Sequence, residues 1–167
     1  MTPRALALAL AVSVLVSLSA AAQLPRNEVA VSAGWTDLAS VGGAGAVGAS
    51  YSRFFTPNIC AQLGAVRADG RGKELTDIHA AAEFHPFRES TLSPWAALGV
   101  ARIAFRDSES LHSKLTSLVG AGVDVNLSRQ FAIGAQVHYS PFVINPRERF
   151  GFNLNPMTLS LAARWRY

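Results

Sequence analysis

The closing stretch Met157–Tyr167, M-T-L-S-L-A-A-R-W-R-Y, decides how the rest of the chain reads. Taken two residues at a time, one set is Met157, Leu159, Leu161, Ala163, Trp165 and Tyr167. The other is Thr158, Ser160, Ala162, Arg164 and Arg166. Side chains of a strand alternate between its faces, so the stretch predicts a strand with one apolar and one polar face. It has about the 9–11 residues that a tilted strand needs to cross a bilayer. An apolar face that ends on Trp165 and Tyr167 suits a strand closing a barrel in a membrane, where no edge can be left unpaired.

Seven upstream segments alternate in the same way, near residues 28–36, 45–54, 59–67, 78–85, 95–105, 118–127 and 131–140. Between them lie connectors rich in Gly, Pro and polar residues: Val41-Gly42-Gly43, Thr56-Pro57-Asn58, Asp69–Glu74, Arg88–Ser93, Arg106–Lys114, Ser128-Arg129-Gln130 and Pro141–Pro156. Pro57, Pro86, Pro94, Pro141, Pro146 and Pro156 fall in these connectors or at strand ends, where no ladder hydrogen bond is lost. The connectors alternate long and short, which places both termini on the short-turn side. An even strand count with that asymmetry predicts an all-β fold, an eight-stranded antiparallel up-and-down transmembrane β-barrel.

Composition agrees. Of 167 residues, 50% are hydrophobic and only 16% charged, against roughly a quarter charged in soluble domains. Arg4, the apolar run Ala5–Leu18 and the small residues Ala20-Ala21-Ala22 predict a cleaved secretory signal over 1–22, leaving 23–167 as the barrel. Without Arg4 the basic residues number 15 − 1 = 14 against 11 acidic ones, a spread-out excess that does not point to nucleic acid. Cys60 is the only cysteine, so no intramolecular disulfide is possible; it reads as structural filler.

On the apolar faces the aromatic residues gather at strand ends. Tyr51, Phe84, Trp95, Phe131, Trp165 and the terminal Tyr167 fall toward the short turns, and Trp35, Phe105 and Tyr139 toward the long loops. Two aromatic belts around an aliphatic band are expected of the two membrane–water interfaces. The opposite faces then line the lumen. Glu83, Arg102, Asp124, Arg164 and Arg166 are expected there as a polar, salt-bridged network, among Gln62, His79, His85, Asn126, Gln136, His138, Ser140, Thr158 and Ser160. Eight strands leave room inside for side chains and little more, so a plugged lumen is expected before a narrow solute channel. His79, His85 and His138 lack short ligand spacing and read as polar filler; no metal and no cofactor are expected.

The terminal aromatic Tyr167 and the alternating Trp165, Ala163, Leu161 and Leu159 resemble the C-terminal signature of bacterial outer-membrane β-barrels. The whole predicted barrel is similar to the small eight-stranded group of OmpA-domain, OmpX and OmpW type. That resemblance implies an outer-membrane location, insertion by the barrel-assembly machinery through the last strand, and a role in envelope integrity, adhesion or small-solute passage, without choosing among them. A monomer in contact with lipid and lipopolysaccharide, with a structural or surface-interaction role, is expected. His138-Tyr139-Ser140 also resembles the H-x-S element of outer-membrane lipid A deacylases, which implies an alternative: a hydrolase with His138 as base, Ser140 as nucleophile and Glu148 as the acid. Pro141 stands where that family has Asn, and the strand phase turns His138 and Ser140 inward. The loop bases Arg71, Lys73, Arg147 and Arg149 read as solvated charge.

Overall fold

The structure, a computed structural model, describes residues 25–37, 42–70, 72–106, 111–141 and 155–167. The predicted signal 1–22, Arg71, Arg147, Glu148 and Arg149 lie outside them. The strands are β1 Asn27–Asp37, β2 Gly43–Phe54, β3 Ile59–Gly70, β4 Lys73–Phe84, β5 Leu92–Arg106, β6 Leu111–Asn126, β7 Phe131–Tyr139 and β8 Met157–Arg166. Each pairs antiparallel with its neighbours in chain order, and β8 returns to β1 to close the barrel. The seam runs from Glu28↔Arg166 to Asp37↔Met157. Below it Asn27 and Tyr167 exchange backbone hydrogen bonds of 3.1 and 2.9 Å, so pairing extends through the last residue. Closure leaves no sheet edge exposed.

The strands run longer than the alternation alone suggests. Most of the expected 69–74 loop is paired backbone, since Gly70 faces Lys73 and only residues 71–72 join β3 to β4. Gly72 takes φ +73°, the left-handed conformation that so tight a connection needs. Charge persuades the eye of a loop here, but the charges sit outward on a continuing ladder: Arg67 reaches Asp69 at 3.4 Å and Glu74 at 3.3 Å. Likewise β6 starts at Leu111, and Lys114 pairs opposite Ile103 instead of lying in a loop.

Seven strands present the predicted faces. Leu63, Leu159 and Leu161 are more than 60% exposed, while Gln62, Ser160 and Arg164 are buried inside. β5 is inverted. Trp95, Ala97, Ala101, Ile103 and Phe105 face the lumen, and Leu98, Val100 and Arg102 face out. Both faces of β5 are largely apolar, and its one charge between Trp95 and Phe105, Arg102, pointed the period-two reading the wrong way; space decides the phase. Trp95 pairs opposite Gly122, where a Cβ would meet its ring at 2.6 Å. A glycine there makes the hollow that an indole fills.

The outward aromatics Trp35, Tyr51, Phe84, Phe131, Tyr139, Trp165 and Tyr167 are all exposed as predicted. Trp95 and Phe105 leave those belts for the interior, at 3% and 2% exposure. Phe55 and Phe87, in the turns beside the termini, join the lower belt.

Candidate functional site

The lumen divides into two ends. At the end that carries the termini, β8 directs Arg164 and Arg166 inward two residues apart, as its pleat requires. Arg164 donates through Nη1 to Glu28 Oε1 at 2.9 Å, through Nε to Asp124 Oδ1 at 3.0 Å, and through Nη2 to Gln136 Oε1 at 2.7 Å. Arg166 donates through Nε to Glu28 Oε2 at 2.7 Å and through Nη1 to Asn126 Oδ1 at 2.7 Å. Its Nη2 also lies 3.7 Å from Asp124 Oδ2. Two acids and two guanidinium groups thus form a ring bridging β1, β6 and β8. The Trp95 ring lies 5.1 Å from the Arg164 guanidinium, within cation–π range. The arginine side chains are 1% and 4% exposed, and those of Glu28 and Asp124 are 1% exposed. Burying such charges is costly unless each is paired and hydrogen-bonded. Each group here has at least one such bond, while Asp124 Oδ2 and Arg166 Nη2 face each other at 3.7 Å without one.

Glu83 heads a second cluster beside that ring. Its carboxylate accepts from Gln62 Nε2 at 2.6 Å, from the Cys60 thiol at 3.3 Å and from His85 Nε2 at 3.1 Å. Below it Arg88, from the β4–β5 turn, donates to Pro25 O at 2.7 Å and stacks 3.3 Å above the Phe54 ring. Burial, then the charge of Arg166, pulls the Arg88 pKa down to about 10, so it stays a cation at neutral pH. The mouth at this end is capped by a charged group over an aromatic face.

Midway along the barrel, His79 is held by Asp77 at 2.7 Å and meets His138 edge-on at 5.4 Å between ring centroids. Each ring lies over a glycine of the adjacent strand, Gly64 for His79 and Gly120 for His138. The Nε2 atoms of both are buried without a hydrogen-bond partner among the described residues. Beside the two rings is a cavity of about 10 Å³, also lined by Ser32, Ser50 and Gln136, with room for about one water.

Toward the opposite end the β2–β6 side of the interior is apolar. Ala44, Ala46, Val66, Ala68, Leu75, Ala101, Ile103, Phe105 and Leu118 pack as one cluster on β2 to β6. Lys114 is buried among the strands there, and Thr36 and Thr158 share a 2.8 Å hydrogen bond across the β1–β8 seam.

Of the expected lumen network, Glu83, Asp124, Arg164 and Arg166 are inside, with Glu83 in its own cluster. Arg102 is not. It lies outside on β5, where Nη2 donates to Ser113 Oγ at 2.9 Å. The long alkyl stem of an arginine tolerates the edge of an apolar band while its head reaches polar partners, so an outward Arg102 costs little there. Glu28 is the acid the sequence reading passed over. It stands on the inner face, but its partners Arg164 and Arg166 are 136 and 138 positions away. Arg88 was hidden in a turn. His138 and Ser140 are both buried inside, 8% and 2% exposed.

No protein-family model matches the chain. A search of curated proteins likewise returns no match. Solved structures do match. The N-terminal β-barrel domain of Pseudomonas aeruginosa OprF superimposes with a TM-score of 0.64 at 15% identity, covering 86% of this chain and 99% of that one. Neisserial surface protein A gives 0.62 at 18% identity, covering 84% and 96%. The chain has the fold of the small eight-stranded outer-membrane β-barrels. The outer-membrane enzyme PagL shares this barrel with a TM-score of 0.51 at 15% identity, covering 84% of this chain and 99% of that one. One barrel therefore hosts an enzyme and a surface protein, and the fold does not choose between such roles.

Proposed function

We propose that the barrel spans a bacterial outer membrane as a monomer and serves there as a structural or surface-interaction protein with a closed lumen. The apolar belt supports the membrane. Leu63, Leu98, Leu159 and Leu161 are among a girdle of large apolar side chains exposed on the outer faces, far more than soluble proteins leave to water. Ten steps from Met157 to Tyr167, at about 3.3 Å each and tilted about 40°, climb about 25 Å, the height of a lipid-facing band. In this reading residues 1–22 direct export, and Leu159–Tyr167 is the strand offered to the barrel-assembly machinery. Lipid and lipopolysaccharide surround the girdle.

The observation that carries the closed lumen is Arg164, held by Glu28, Asp124 and Gln136 from three strands at 1% side-chain exposure. A group fixed by so many charge-assisted bonds is a strut rather than a gate. Purified barrel added to planar bilayers is expected to give no discrete conductance steps. Regular single-channel steps from wild-type protein would favour the channel reading. The reading assigns no hydrolysis to His138 and Ser140, because an acyl chain dissolved in the bilayer does not meet side chains turned into the lumen. Ser140→Ala is accordingly expected to leave the lipid A acyl pattern unchanged, and a lost deacylation product would establish the enzyme instead.

A further inference from the structure

Cys60, Glu83 and His85 converge in a way the ion network does not use. Cys60 and Glu83 are paired across β3 and β4, and His85 follows on the same inward face. They are 1%, 1% and 0% exposed. The thiol and the His85 ring meet on a single oxygen, Glu83 Oε2, at 3.3 and 3.1 Å. One ligand atom from each lies within 4.8 Å of the others. Four-coordinate zinc, with bonds of about 2.3 Å to sulfur and about 2.0–2.1 Å to nitrogen and oxygen, has ligand–ligand edges of about 3.4–3.6 Å. Two edges are already near that length, and the third closes by an ångström or so at most.

Two further observations point the same way. Gln62 anchors Glu83 Oε1 through its amide nitrogen at 2.6 Å, while its amide oxygen is buried without a partner among the described residues. That oxygen is an unused acceptor on the residue that anchors Glu83. His85 Nδ1 is likewise buried and without a partner among the described residues, which leaves it able to take the ring proton that Nε2 now gives to Glu83. The ion pairs of Arg164 and Arg166 go to Glu28 and Asp124, and Glu83 is left with the thiol, the amide and the imidazole. One thiolate, one imidazole and one carboxylate suit zinc or cobalt(II) better than calcium or magnesium.

We propose that Cys60, Glu83 and His85, with the Gln62 amide oxygen in the fourth position, bind a zinc-type divalent cation inside the terminal end of the barrel. On binding, the Cys60 proton leaves to solvent and the His85 ring proton passes from Nε2 to Nδ1. The ion takes the thiolate, carboxylate and imidazole lone pairs, with no oxidation or reduction. Thiolate and carboxylate together balance its two charges. Phe54, 5.3 Å from the His85 ring, and Arg88 above it cover the cluster, so exchange with solvent is slow.

The test uses untagged full barrel folded in detergent, with Co²⁺ present during folding and, in a second arm, added afterwards. One Co²⁺ per chain is expected, with a near-ultraviolet thiolate-to-cobalt band and the strong visible bands of a four-coordinate ion. Zn²⁺ should erase both. The chain has a single cysteine, so the thiolate band reports on Cys60 alone. Cys60→Ser should remove it and weaken binding at least about tenfold, and His79→Ala should not. Absence of the band in wild-type protein, or equal binding by Cys60→Ser, overturns the site. Where Cys60→Ser fails to fold, alkylation of wild-type Cys60 by a small maleimide in mild urea decides. Zn²⁺ should slow it at least tenfold, and equal rates overturn the site.

Discussion

The two ends of the lumen hold the same barrel together by different physics. At the terminal end the filling is charge: Arg164 and Arg166 against Glu28 and Asp124. At the other end, beside the buried Lys114 and Thr36, it is largely shape, with Leu75, Ile103, Phe105 and Leu118 packed against alanines. Ion pairs are directional and need a defined partner, so they fix which strand faces which across the β8–β1 seam. Apolar packing is tolerant of partner but sensitive to volume. The contrast teaches where each kind of damage should hurt.

The largest effect is expected from Arg164→Met. It strands Glu28 and Asp124 without their main counter-charge and leaves Gln136 unpaired, at about 3–5 kcal/mol of folding stability. Urea titration read by the gel shift between folded and boiled protein measures it. A loss below about 1 kcal/mol would mean that the ring is not the brace of the terminal end. At the opposite end Leu75→Ala should cost about 2–5 kcal/mol through a cavity that the alanine-rich surroundings cannot collapse to fill. Filling that space with Met instead should cost less than about 1.5 kcal/mol. The same swap at an ion-paired position would not be so forgiven, and equal tolerance at both ends would erase the distinction.

Much of this was legible from the chain. Alternation located all eight strands, and it placed Asp124, Arg164 and Arg166 inside, because a polar residue between lipid-facing neighbours has nowhere else to go. β5 resisted for a definite reason. Its two faces, Trp95-Ala97-Ala101-Ile103-Phe105 and Ala96-Leu98-Val100-Arg102-Ala104, differ by the single charge of Arg102, which together with the aromatic-belt rule drew Trp95 and Phe105 outward. The information that settles the phase lies on another strand, in Gly122 opposite Trp95. Glu28 was similarly opaque. One acid at the start of β1 carries no mark of two arginines at the far end of the chain, and only barrel closure brings them together. Glu83 and His85 share a face two residues apart, but their meeting with Cys60 follows from the β3–β4 register, which no spacing in the sequence announces.

The smallest effect should come from the outer surface. Arg67→Ala removes exposed ion pairs to Asp69 and Glu74 beyond the apolar band and should change stability by less than about 1 kcal/mol. A penalty as large as that of Leu75→Ala would show that the overhanging β3–β4 ladder is structural.

Which way each strand turns its greasy side underlies all of this, and the three tryptophans report it. Single-tryptophan variants retaining Trp35, Trp95 or Trp165 can be reconstituted into bilayers whose acyl chains carry bromine, a short-range quencher. Trp35 and Trp165, 56% and 57% exposed on the outer face, are expected to be strongly quenched. Trp95, 3% exposed beside Arg164, should keep its emission. Quenching of Trp95 to the level of Trp165 would contradict the inverted β5, and with it the filling of the lumen described for the terminal end.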